Sequence, residues 1–211
     1  AWRFATGVCL AGIYPVGMKI ASQWYTRGLG PALGMLIGAL VLGSASAHAL
    51  RALGDGLPWP TLMLGVAALA AFGGVLLFTA LPEAPHAVAR VSTLQWRALA
   101  AIGTDPKVRS SVLGYFGHMW ELYTLWVLMP LILATRLQGA ALSWAAFWLL
   151  GAGVLGCVGG GLLAPRWGSA RVAGVQLAAS GLCCLLAPWL MGAPDALFYA
   201  WLLVWGITVS G

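Results

Sequence analysis

Charge is what this sequence has least of. Lys and Arg supply 11 of the 211 residues and Asp and Glu only 5, so 8% of the chain is charged, against about 25% in an ordinary soluble domain. A soluble fold of this size covers much of its surface with polar groups, and so few charges cannot do that. Carboxylates are too sparse to cluster, which removes paired-acid chemistry. The four cysteines, Cys9, Cys157, Cys183 and Cys184, all lie in apolar runs, without C-x-x-C spacing or a nearby histidine. Neither a disulfide framework nor a zinc or iron–sulfur site is expected from that pattern; cysteine in such surroundings behaves as a small hydrophobe. The motifs H-E-x-x-H, G-x-S-x-G and G-x-x-x-x-G-K-[ST] are absent too, so the residues offer no enzyme site and no direct nucleotide drive. No metal or cofactor is expected. There is no signal peptide and no initiator Met, and the last apolar run stops at Gly211. Both ends read as cuts through a larger protein.

What is present is apolar. Hydrophobic residues make up 61% of the chain, with a mean hydropathy of +0.91. Lipid accounts for that composition. The net charge of +6 would suggest nucleic acid in a soluble protein. Here the positive residues stand between apolar runs, where they meet anionic headgroups, and no basic cluster is interleaved with aromatics. Nucleic acid is therefore excluded as a partner.

A helix needs about 20 mostly apolar residues to cross the hydrocarbon core and must satisfy its own backbone there. That ruler predicts seven segments: Arg3 to Trp24, Leu29 to Leu50, Trp59 to Leu81, Val108 to Ala134, Ser143 to Ala164, Val172 to Met191, and a seventh from near Ala196. Pro82-Glu83 closes the third. Within the polar stretch that follows, residues 92–102 suit a short interfacial helix, with Leu94, Ala98, Ala101 and Ile102 on its apolar side. Asp105-Pro106 reads as an N-cap followed by proline at the first helical position. The sequence APRWGSAR, 164–171, reads as a tight loop.

Loop charge gives the topology. The loops after the first, third and fifth segments carry seven basic residues: Arg27, Arg90, Arg97, Lys107, Arg109, Arg166 and Arg171. The opposite set carries Arg51 and Arg136, together with Asp55 and Asp195. The positive-inside rule places the first set, including residues 82–109 and 165–171, in the cytoplasm.

Ionisable groups inside spans are costly and count as site candidates. Glu121 is the strongest. It lies about 12 residues into its span, or about 18 Å at 1.5 Å per residue, near the middle of a bilayer about 30 Å thick. A solute, proton or gating role competes with a static pairing to a basic group. His118 precedes it by three residues, so Tyr115, His118 and Glu121 are expected as a polar stripe on a cavity side, with Trp120, Tyr123 and Trp126 adding aromatic surface. Arg3 and Lys19 are further candidates, or they snorkel to headgroups. Pro15 is expected to bend the first segment. Gly30, Gly34 and Gly38 recur every four residues, as do Gly156 and Gly160, which suits close helix packing, either simple bundle packing or contacts where helices slide or rock during transport.

Several runs carry a family resemblance. RFATGVCLAGIYPVGMKIASQW, 3–24, with Arg3, Gly7 and Gly12, resembles the fourth helix of the major facilitator superfamily. RGLGPALGMLIGALVLG, 27–43, is similar to its Gly-rich fifth helix. GGGLLAPRWGSARV, 159–172, resembles the loop between helices eight and nine, with the family's G-x-x-x-D-R-x-G-[RK]-[RK] aligned on Gly161, Arg166 and Gly168. The sequence departs at Pro165, where the family has an acid, and at Ser169; Arg171 restores one charge. LGYFGHMWELYTLWVLMP, 113–130, looks like the seventh helix of a bacterial subgroup often labelled nitrate, nitrite or cyanate permease-like.

The resemblance implies an all-α polytopic membrane bundle of twelve helices. This chain would supply helices four to ten, with the remaining helices of the full-length chain as its partners. Residues 1–81 would end the N-terminal half, 82–109 would be the cytoplasmic inter-half loop, and 110–211 would begin the C-terminal half. It implies a monomer in a bacterial cytoplasmic (inner) membrane. It also implies alternating access and secondary transport of a small solute, often coupled to protons. Arg3, Tyr115, His118 and Glu121 would then surround the cavity, and Lys19, Arg166, Gly168 and Arg171 would serve the cytoplasmic gate. Arg3 favours an organic or inorganic anion, and Glu121 pulls the other way. A membrane-integral enzyme or assembly factor and a receptor-like bundle are the alternatives.

Overall fold

A computed structural model describes residues 2–25, 27–54, 57–80, 82 and 103–211; for residues 2, 3, 10–12 and 14 it describes the helical backbone alone. Every regular element among these residues is a helix. In chain order they are α1 (Trp2–Trp24), α2 (Leu29–Leu53), α3 (Trp59–Ala80), α4 (Pro106–Leu133), α5 (Gly139–Gly151), α6 (Gly153–Trp167), α7 (Ser169–Leu190) and α8 (Asp195–Ser210). By length and apolarity α2, α3, α4, the α5–α6 pair taken together and α7 can each cross a bilayer. The short helix expected over 92–102, and Arg90, Arg97 and Asp55, lie outside the described residues.

Local chemistry explains the start of α4. The Asp105 carboxylate accepts from the N–H of Lys107 at 2.8 Å and of Val108 at 3.5 Å, and Pro106 opens α4 where its missing N–H costs nothing. Helix α1 continues through Pro15. Helix α3 buries none of its side chains, and Leu64, Phe72 and Phe78 stand on an outer surface that suits lipid.

Two expectations need correction. The fifth segment is not one helix over 143–164. It is α5 and α6, divided at Ala152 between Gly151 and Gly153. Glycine on both sides weakens the helical preference, and Leu155 N–H turns to the Ala152 carbonyl three residues back, at 2.9 Å. Nor is 164–171 a loop. Helix α6 runs to Trp167 and α7 starts at Ser169, so Gly168 alone makes the reversal, at φ 87° and ψ 134°. Glycine reaches that conformation without a Cβ penalty.

The interior sits among α4, α5, α7 and α8. Leu125, Met129 and Leu133 of α4 pack with Phe198 and Leu202 of α8, all at 1% exposure or less. Apolar burial against helices gains little over burial in lipid tails. Close packing and interhelical hydrogen bonds therefore carry the association.

Candidate functional site

Glu121 lies near the midpoint of α4, fifteen residues after Pro106 and twelve before Leu133. Its Oε1 accepts from Ser180 Oγ–H and, at 3.3 Å, from Cys184 Sγ–H. Both donors belong to α7, and Ser180 is fully buried. The one ion pair among the described residues joins Arg136 to Asp195, so no Lys or Arg neutralises Glu121 there. Among the described residues this mid-helix carboxylate is held by neutral donors.

The stripe drawn through Tyr115, His118 and Glu121 spreads over different surroundings. His118 is half-buried and Tyr115 is exposed. No hydrogen bond joins either of them to Glu121. A shallow groove of about 510 Å³ runs along another face of α4, lined among others by Phe116, Trp120, Tyr123, Thr124 and Val127. Glu121, His118 and Tyr115 do not line it. Trp126 turns into the bundle, edge-on to Tyr123 at 5.9 Å between ring centroids.

A second constellation is built from glycine. Helix α2 crosses α6 with Gly30, Gly34 and Gly38 on the contact face. A Cβ on Gly34 would stand 2.6 Å from the Cys157 carbonyl oxygen, and one on Gly30 3.1 Å from the Gly161 oxygen. The opposing face is Val154, Cys157 and Gly161. Gly156 and Gly160 serve other neighbours: Gly156 lies against the Ile207 carbonyl of α8, and Gly160 admits the Gln176 amide of α7. Pro165, where the family has an acid, sits against Gly30.

Lys19, Arg166 and Arg171 are exposed, and Gly168 forms the α6–α7 turn. The side chain of Arg3 lies outside the described residues, and Gly12 is described only as helical backbone of α1. Sequence reasoning treated Arg136 as loop charge only. The structure gives it Asp195, the carbonyls of Met191 at 2.9 Å and Ala193 at 2.6 Å, and the Phe198 ring at 4.0 Å. It thereby ties the α4–α5 connection to the α7–α8 connection and puts both at one end of the bundle. Ser180 and Cys184 were also missed. Their signal was the spacing Gln176, Ser180, Cys184, a polar line along an apolar segment.

An all-helical bundle with a lipid-type exterior and a carboxylate turned inward defines an integral membrane protein. The Major Facilitator Superfamily profile matches residues 1–211, and the chain belongs to that family of secondary transporters. No curated protein and no solved structure matches it.

Proposed function

We propose that this chain carries the coupling carboxylate and an inter-half seam of a proton-coupled transporter that moves a small solute by alternating access. The observation that carries the reading is Glu121: a mid-span carboxylate with Ser180 and Cys184 as partners and, among the described residues, no basic side chain paired to it. An unpaired charge is expensive inside a membrane, and ionisable groups kept there mark solute or proton pathways. A neutral carboxyl crosses the low-dielectric interior at little cost, and an ionised one does not.

In this reading α1 to α3 belong to one half of the transporter and α4 to α8 to the other, joined through residues 82–109 on the cytoplasmic side. The α2–α6 crossing is then a contact between halves, and its backbone-to-backbone approach at Gly34 and Gly161 suits surfaces that move past one another. Loop charge supports the same sidedness. The Gly168 turn then faces the cytoplasm with Arg166 and Arg171, and the Arg136–Asp195 end faces away.

The test is a solute screen in proteoliposomes of known orientation, with a pH-sensitive dye inside. Addition of the transported solute should move protons with it. Glu121→Gln should insert normally and lose gradient-driven accumulation. Unchanged accumulation in that variant would remove Glu121 from the coupling step.

A further inference from the structure

Helix α7 carries Gln176, Ser180 and Cys184 at four-residue intervals, so the three share one face. Each is engaged. Gln176 Nε2 donates to the Gly156 carbonyl of α6 at 3.1 Å. One turn on, Ser180 donates to Glu121 Oε1, and one turn further Cys184 donates to the same oxygen. The line thus bonds α7 to α6 at one level and to α4 at the next two.

Ser180 differs from the other two in what a hydroxyl can do. It is one donor and two acceptor lone pairs on a freely turning bond, whereas a thiol accepts weakly. Against an ionised carboxylate it donates. Against a protonated carboxyl it can turn and accept. It has no exposure, so water cannot take over either part.

We propose that Ser180 is a positioning residue for Glu121, holding the carboxyl group in one place through both of its protonation states. Cys184 is an auxiliary donor to the ionised state. The proposal rests on the reading that Glu121 gains and loses a proton during function. In that step the carboxyl O–H bond breaks, the proton passes to water or to the solute, and the electron pair stays on Glu121; nothing is oxidised or reduced. Among the described residues the titratable groups facing Glu121 are His118 on its own helix and Cys183 and Cys184 on α7. Helix α5 has no titratable residue. Those of α8, Asp195 and Tyr199, lie in its first two turns, with Asp195 bound to Arg136.

The test needs no solute. Infrared difference spectra of the purified protein in lipid, taken between acidic and alkaline buffer, report the C=O stretch of each carboxyl that titrates. The band lost in Glu121→Gln belongs to Glu121. In Ser180→Ala that band should move to higher frequency and broaden, because a hydrogen bond to the carboxyl is gone. Ser180→Thr, which keeps the hydroxyl, should restore its position. Cys184→Ala should leave the band of the protonated form in place. A Glu121 band unchanged in Ser180→Ala overturns the positioning role and leaves the coupling reading standing. If no band is lost in Glu121→Gln, Glu121 does not titrate, and both readings fall. Thermal unfolding of each variant separates a lost contact from a lost fold.

Discussion

The Cα of Gly161 lies 3.2 Å from where a Cβ on Gly34 would stand. The contact is backbone against backbone, so no rotamer change can make room. Gly34→Ala should overpack the crossing and destabilise the protein by about 1–3 kcal/mol, read as a lower unfolding temperature in detergent. Gly43→Ala on the same helix is the control. No atom lies within 4 Å of its Cβ position, so it should be neutral or slightly stabilising.

A cysteine at position 38 should find Cys157. The Cβ of residue 38 would lie 3.7 Å from the Cys157 Cβ, inside the range of about 3.5–4.5 Å that a disulfide requires. Gly38→Cys should therefore oxidise to an intramolecular bridge, seen as loss of two free thiols. The bridged protein should not transport, and reductant should restore it. Gly38→Ser should remain active under oxidant.

Arg136 should matter more than its ion pair. Its partner Asp195 has a side chain 77% exposed, and an exposed pair contributes under about 1 kcal/mol. Asp195→Asn should therefore cost little. Arg136→Ala also removes two carbonyl bonds and the contact with Phe198, and should cost about 1–3 kcal/mol. Chemical denaturation of the two variants and of the double variant measures the difference.

Glu121 can be changed without stranding Ser180 only if an acceptor remains. Glu121→Gln keeps a carbonyl oxygen and should retain the unfolding temperature of the parent. Glu121→Leu leaves a fully buried hydroxyl without its acceptor and should lose about 0.5–2 kcal/mol, since the hydroxyl can find only a carbonyl of its own helix. Equal unfolding temperatures for the two variants would contradict the hydrogen bond as the cause.

The legible parts of this chain were those decided locally. Asp105-Pro106 announced the start of α4 because a cap involves residues two and three positions apart. Glu121 announced itself because one carboxylate in an apolar run is anomalous wherever that run folds. Its partners could not be read the same way. Ser180 and Cys184 lie 59 and 63 residues further on, and the rotation of α7 against α4 is settled only by packing. Glycine spacing showed the same limit. Gly30, Gly34 and Gly38 marked a contact face on α2, but glycines lie on several faces of α6, and its one four-residue pair, Gly156 and Gly160, is turned to other neighbours. Spacing alone could not decide that Cys157 and Gly161 meet α2 while Gly156 meets α8. The division at Ala152 was missed because apolar residues run through it unbroken.

The middle of the α2–α6 crossing carries no side chains on its closest line. Interdigitated side chains act like teeth, and one helix passes another only by lifting each tooth from its notch. Gly34 and Gly161 present none. Travel past that pair meets only the shallow ripple of two polypeptide backbones, with the side chains of Val154 and Pro165 to either side, so a close joint is also a smooth bearing.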